Sequence, residues 1–132
     1  MSLHITKHQG KLKGFVSLST STLTNEFCIA MRQKEGTICS KCYAARYETL
    51  RKNLHECLVR NSEMLSKPLA EEDVPVLDVP RFRINSFGEL INKHHLDNIV
   101  RIAKKNPNTV VTLWTKRENL LAGLTEKPKN LI

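Results

Sequence analysis

The sequence predicts an α/β fold, a partial parallel (βα) barrel or an open sheet with about three to four βα units. Three observations lead there. Short β-branched runs alternate with stretches of helical period along the chain, the pattern that right-handed βαβ units produce. Clusters of Gly, Pro, Asn and Ser stand between most of these runs. The 132 residues, 40% of them hydrophobic, suffice for one buried core, so residues 1–132 are read as a single α/β domain.

Each element has its own reason. Residues 15–20 (FVSLST) alternate apolar and hydroxyl side chains, as a half-buried strand does. From Ser19 to Cys42 the chain is rich in polar turn formers and no period holds, which predicts a long loop, and loops of that length inside a domain are usually functional. Residues 44–64 place Tyr47, Leu50, Leu54, Cys57, Leu58 and Met64 at three- and four-residue steps, with Arg46, Arg51, Lys52 and Arg60 elsewhere. That spacing predicts one amphipathic helix with a basic outer face. Pro68, Pro75 and Pro80 punctuate an acidic surface connection, extended over 74–79, before a strand at 81–86 (RFRINS). Asn92 is placed to cap a helix with the stripe Leu96, Ile99, Val100 and Ala103, closed by Lys104 and Lys105 and stopped by Pro107. Residues 109–114 (TVVTLW) form the strongest strand signal, with Trp114 expected in the core. A short helix over 118–124 follows, and 130–132 reads as the start of another strand, so an incomplete sheet is an expectation too.

Composition narrows the function classes. The net charge is +8, and because residues 66–80 alone hold −3, the rest of the chain carries +11. Anionic partners are favoured, nucleic acid or phosphate-bearing molecules, although only seven aromatics predict weak binding to bases. No apolar run approaches the roughly 18 to 20 residues of a membrane span, and the first residues lack the apolar region of a secretory signal. The expectation is a cytoplasmic protein with no membrane partner. There thiols stay reduced, and closely spaced cysteines mean metal or catalysis rather than disulfides.

Cys39 and Cys42, with two residues between them, can face one metal, and Cys28 supplies a third thiolate. Three thiolates leave a tetrahedral zinc one ligand short, or leave one iron of a four-iron four-sulfur cluster open. Cys57 falls on the apolar stripe and reads as packing. Two further spots, Ser86 to Glu89 and Thr115 to Arg117, follow predicted strands as the cysteine loop does, and ligands in parallel sheets sit at the carboxyl ends of strands. One pocket is therefore expected, with Ser86, Gly88, Glu89 and Lys116 binding a cofactor. Glu89 is equally placed to meet a helix dipole, and Lys116 with Arg117 to clamp a phosphate or carboxylate or to form a solvated turn. His94 and His95, adjacent on a helix, diverge and are expected on the surface, as are His4 and His8 in a mobile terminus.

Residues 37–44 (TICSKCYA), Arg60-Asn61, residues 83–90 (RINSFGEL) and residues 113–117 (LWTKR) resemble, in combination, the phage gene product 88 family. The similarity runs from about Lys11 onward, and it implies a phage or prophage protein of unknown biological role, acting in the bacterial host cytoplasm. More distantly the layout is similar to the radical S-adenosylmethionine superfamily. That resemblance implies Cys28, Cys39 and Cys42 as ligands of a four-iron four-sulfur cluster and Tyr43 as the aromatic beside it. It also implies Ser86, Gly88 and Glu89 as receivers of the amino group of S-adenosylmethionine. The leading expectation is thus an iron-sulfur protein with a radical-type site. The alternative is a non-catalytic zinc-stabilised module that binds nucleic acid or a protein partner through its basic face. An exposed sheet edge would also invite a second copy of the chain.

Overall fold

Parallel strands bring their carboxyl ends to one edge, and that edge is where this chain gathers its polar loops. The computed structural model describes residues 2–7, 11, 13–124 and 126–132. Four short strands, β1 (Thr6–Lys7), β2 (Val16–Leu18), β3 (Arg81–Ile84) and β4 (Val110–Leu113), pair in that order. β2, β3 and β4 are parallel, in a register set by Ser17↔Arg83 and Phe82↔Val111, while β1 runs antiparallel to β2. Leu131 bridges Val111 in the parallel sense, so the strand expected at 130–132 is begun. The result is a small α/β domain with a mixed sheet that is open, not closed into a barrel, and has exposed edges.

Among the described residues the strands are joined by the α-helices α1 (Glu26–Arg32), α2 (Tyr43–Leu50), α3 (Lys52–Leu65), α4 (Lys93–Lys105) and α5 (Glu118–Leu121). Alternation in β3 buries Phe82 and Ile84 and exposes Arg81 and Arg83. Phe82 and Ile84 pack with Val16, Leu18 and Val111 against Leu65 of α3 and Leu96, Ile99, Ile102 and Ala103 of α4. Both long helices thus cover one face of the sheet, and Arg81, Arg83 and Val110 are exposed on the other.

Several expectations need correction. The long loop holds α1, because the Asn25 side chain caps it and Glu26 and Arg32 suit the two ends of its dipole. The single helix over 44–64 is two, broken at Arg51 (φ −125°, ψ 93°). α2 buries Ala44, Ala45 and Glu48, a face that would continue at 52, 55 and 59, whereas α3 buries Leu58, Asn61 and Leu65; the break re-aims the helix. The basic side chains Arg46, Arg51, Lys52 and Arg60 are exposed on these two helices. Trp114 is 82% exposed rather than core. His95 is buried, its Nδ1 accepting from the Ile91 N–H at 3.1 Å, while His94 is exposed. The terminus is tied down: Asn61 accepts from His4 N at 2.8 Å and donates to His4 O at 2.9 Å; His8 lies outside the described residues.

The proline-punctuated segment is a strap along α4, with no strand over 74–79. Asn98 accepts from Leu69 N and donates to the carbonyls of Leu65 and Lys67, and Asn106 accepts from Leu77 N and donates to Pro75 O. Its acids are partly answered there, with Glu71 3.2 Å from Arg101.

Candidate functional site

Beyond the carboxyl ends of β2 and β3, backbone pairing continues through Asn85 N to Leu18 O (2.8 Å) and Thr20 N to Phe87 O (3.1 Å). This zips the loop after β2 to the loop after β3. Side chains finish the join, with Ser86 Oγ 2.9 Å from Ser19 Oγ and 3.2 Å from Ser17 Oγ. Gly88, at φ +94°, lies so close to Thr20 that a Cβ would stand 2.2 Å from its Oγ1. The need for glycine here is thus met by Thr20, within the protein itself.

Two buried polar residues then fix the cysteine segment. Asn25 accepts from Cys28 N at 3.1 Å and donates to Glu89 O at 3.0 Å, binding α1 to the loop after β3. Glu48 of α2 accepts from Ser21 Oγ (2.5 Å), from Thr22 N and Oγ1 (both 2.8 Å), and lies 2.6 Å from His55 Nδ1. Burial alone would raise the Glu48 carboxyl, but the hydrogen bonds from Ser21, His55 and Thr22 hold it below its ordinary value. Between these anchors Thr37 caps a 3-10 turn, Ile38–Lys41, that carries Cys39, and Cys42 caps α2.

The outcome is a cavity of about 160 Å³ lined by Cys28, Cys39, Cys42, Ser86, Gly88, Glu89 and Lys116, all seven residues singled out in the sequence. Tyr43 also lines it; Cys57, half-buried on α3, does not. All four cysteines are free thiols. Lys116 Nζ donates to Cys39 Sγ at 2.9 Å, which, with the charges of Cys39, Glu89 and Cys42, holds the lysine above its ordinary value. Burial, then the negative charges of Glu89, Cys42 and Cys39, push the Cys28 thiol up to about 12 against a smaller pull from Arg32. Glu89 accepts from Leu90 N (2.8 Å) and Thr115 Oγ1 on Oε1, and from Lys116 N (3.0 Å) on Oε2. A carboxylate offers about four lone-pair sites, so one on Oε2 is left for a ligand.

This donor set suits a cationic thiophilic group. Three thiols and a carboxylate line one cavity, and burial first, then the neighbouring negative charge, keeps Cys28 protonated. Among the described residues no three His, Cys, Asp or Glu side chains stand close enough to hold a single ion. Arg117 is not a free clamp, since its Nη1 donates to Leu90 O and Ile91 O and its guanidinium lies over Phe27. Sequence reasoning missed Asn25, Arg32 and Glu48, while Thr115 lies in the expected Thr115 to Arg117 spot. Asn25 followed by Glu26 is a legible capping signal; Glu48 in a helical stretch carries none.

No family model, curated protein or solved structure matches this chain.

Proposed function

We propose that this chain is an iron-sulfur protein whose Cys28, Cys39 and Cys42 hold a four-iron four-sulfur cluster, with a radical S-adenosylmethionine-like site beside it. One observation carries the reading: Cys28 of α1 and the Cys39–Cys42 turn line one cavity with Ser86, Gly88, Glu89 and Lys116 at the carboxyl edge of the parallel strands. When bound, such a cluster supplies one-electron chemistry and an open iron. The chain's own residues do the rest. Glu89, with its spare acceptor site, receives an ammonium group in a charge-assisted bond. Lys116, released from Cys39, presents a cation to a carboxylate. Phe27 and Met31 form the apolar wall that limits water.

Three cysteines leave a tetrahedral zinc one ligand short, whereas in a four-iron cluster they leave one iron open to a ligand, and Glu89 lines the same cavity. In keeping with the resemblance in its motifs, we place the protein among phage-encoded proteins acting in a reducing host cytoplasm. No helix of the described residues is long and apolar enough to cross a membrane. We also propose that its open sheet edges pair with a second copy.

The test is anaerobic reconstitution with iron and sulfide. The expected result is a brown protein with about four iron and four sulfide per chain, and colourless Cys28→Ser, Cys39→Ser and Cys42→Ser variants. A chain that takes up one zinc and no iron would replace this reading with the zinc-stabilised module.

A further inference from the structure

A second cavity, of about 730 Å³, adjoins the first and shares Tyr43 and Ser86 with it. Its wall is aromatic. Tyr43, Tyr47 and Phe87 meet in pairs at 6.2 to 6.5 Å between centroids, every pair edge to face, so no ring stacks on another. These rings are not spent on the core: Tyr43 is 64% exposed, Tyr47 48%, and Phe15 on the same wall 47%. Exposed aromatic faces grouped in a concavity cost solvation unless a ligand covers them.

The cavity is also cationic. Arg51, at the break between α2 and α3, sits 5.1 Å over the Tyr47 ring, and Arg83 comes off the face of β3 opposite the buried Phe82 and Ile84. Among the described residues neither guanidinium lies within salt-bridge distance of a carboxylate, and no acidic residue lines the cavity. Unpaired arginines beside unstacked aromatics match a ligand that is planar at one end and anionic at the other. The volume falls in the range of small-molecule sites, roughly 300 to 1,000 Å³.

We infer that this cavity binds a free nucleoside phosphate, its base against Tyr43, Tyr47 and Phe87 and its phosphate on Arg51 and Arg83. This goes beyond the cluster reading and does not rest on it, because no proposed metal ligand lines the cavity. The shared Tyr43 and Ser86 place the ligand next to the cysteine site, where a substrate would be needed.

Calorimetric titration of the full chain with AMP, GMP, CMP and UMP tests it. At least one should bind, and the matching nucleoside without phosphate should bind about tenfold more weakly. Tyr47→Leu should weaken the nucleotide by about fivefold to a hundredfold. Arg51→Gln with Arg83→Gln should bring it to the level of the nucleoside, whereas Cys39→Ser should change nothing. The inference is overturned if none of the four binds, if the phosphate adds no affinity, or if the arginine pair is without effect. Unchanged nucleotide affinity in the Tyr47→Leu variant would also overturn it, by placing the ligand away from the aromatic wall. So would a single strand of about twelve nucleotides binding over tenfold tighter than any mononucleotide, which would make the groove a strand track. Failure of iron loading, by contrast, would leave all these outcomes readable.

Discussion

A Cβ at position 88 would meet Thr20 Oγ1 at 2.2 Å and Thr20 O at 2.6 Å, on a backbone whose φ of +94° already disfavours any other residue. Gly88→Ala should therefore cost roughly 2–5 kcal/mol in urea unfolding, from overpacking and strain together, and should part the two loops that form the cysteine cavity. His95 gives a pH signature. Burial lowers it from 6.5 to about 4, so the folded state holds the imidazole neutral while the unfolded chain protonates it. Its contribution is fully present above pH 6.5 and is lost as the pH falls from 6.5 toward 4, by about 3 kcal/mol in all. Glu48, held below its ordinary value, adds a second loss lower down, as its carboxylate is forced to protonate. Unfolding free energies measured across this range should show both windows, and His95→Gln should flatten only the upper one. An unchanged slope in that variant would mean that another group titrates there.

Two helix caps of similar chemistry do different jobs. Asn25 caps α1 and reaches Glu89 O; Asn92 caps α4, accepting from His95 N at 3.0 Å and donating to Ser66 O at 2.9 Å. Replacing either by Ala should cost about 1–2 kcal/mol. Only Asn25→Ala should also lower the iron retained after reconstitution, because of these two helices only α1 carries a cysteine; equal losses of iron in both would tie retention to global stability instead. The contrast also marks what was legible in the sequence. Asn92, the stripe behind it and the closing lysines spelled out α4 and its start, because cap, period and stop signal agree there. The three spots of the site were legible for a topological reason: each follows a parallel strand, and such ends share one edge. The break at Arg51 was not legible, since the apolar steps run unbroken through it and only the change of buried face requires it. β1 is two residues held by one partner strand, too short to leave a pattern. Trp114 misled because a large apolar residue at the end of a β-branched run reads as core, while here it lies past the strand.

At the scale of the whole molecule the sheet is covered on one face and open at its edges. Beyond β4 the edge carries Ile132, whose carbonyl accepts from Leu113 N at 2.9 Å and whose side chain is 69% exposed, and next in the chain to Leu113 stands Trp114. The exposed tryptophan and isoleucine on this side of the sheet are where the proposed second copy would add. Against this stands a net charge of +8, which repels identical chains and is screened by salt. Association should therefore strengthen with ionic strength, the opposite of the salt response of a protein gripping phosphates. The chain has one tryptophan, so its own fluorescence reports the event. Emission should move to shorter wavelength as concentration or salt rises and Trp114 leaves water, in step with growing mass in sedimentation velocity. Trp114→Glu should stay monomeric under the same conditions with unfolding free energy unchanged within about 0.5 kcal/mol, as befits an exposed position. A variant that still dimerises would move the interface to the β1 edge, where Lys7 is exposed and the strand is only two residues long.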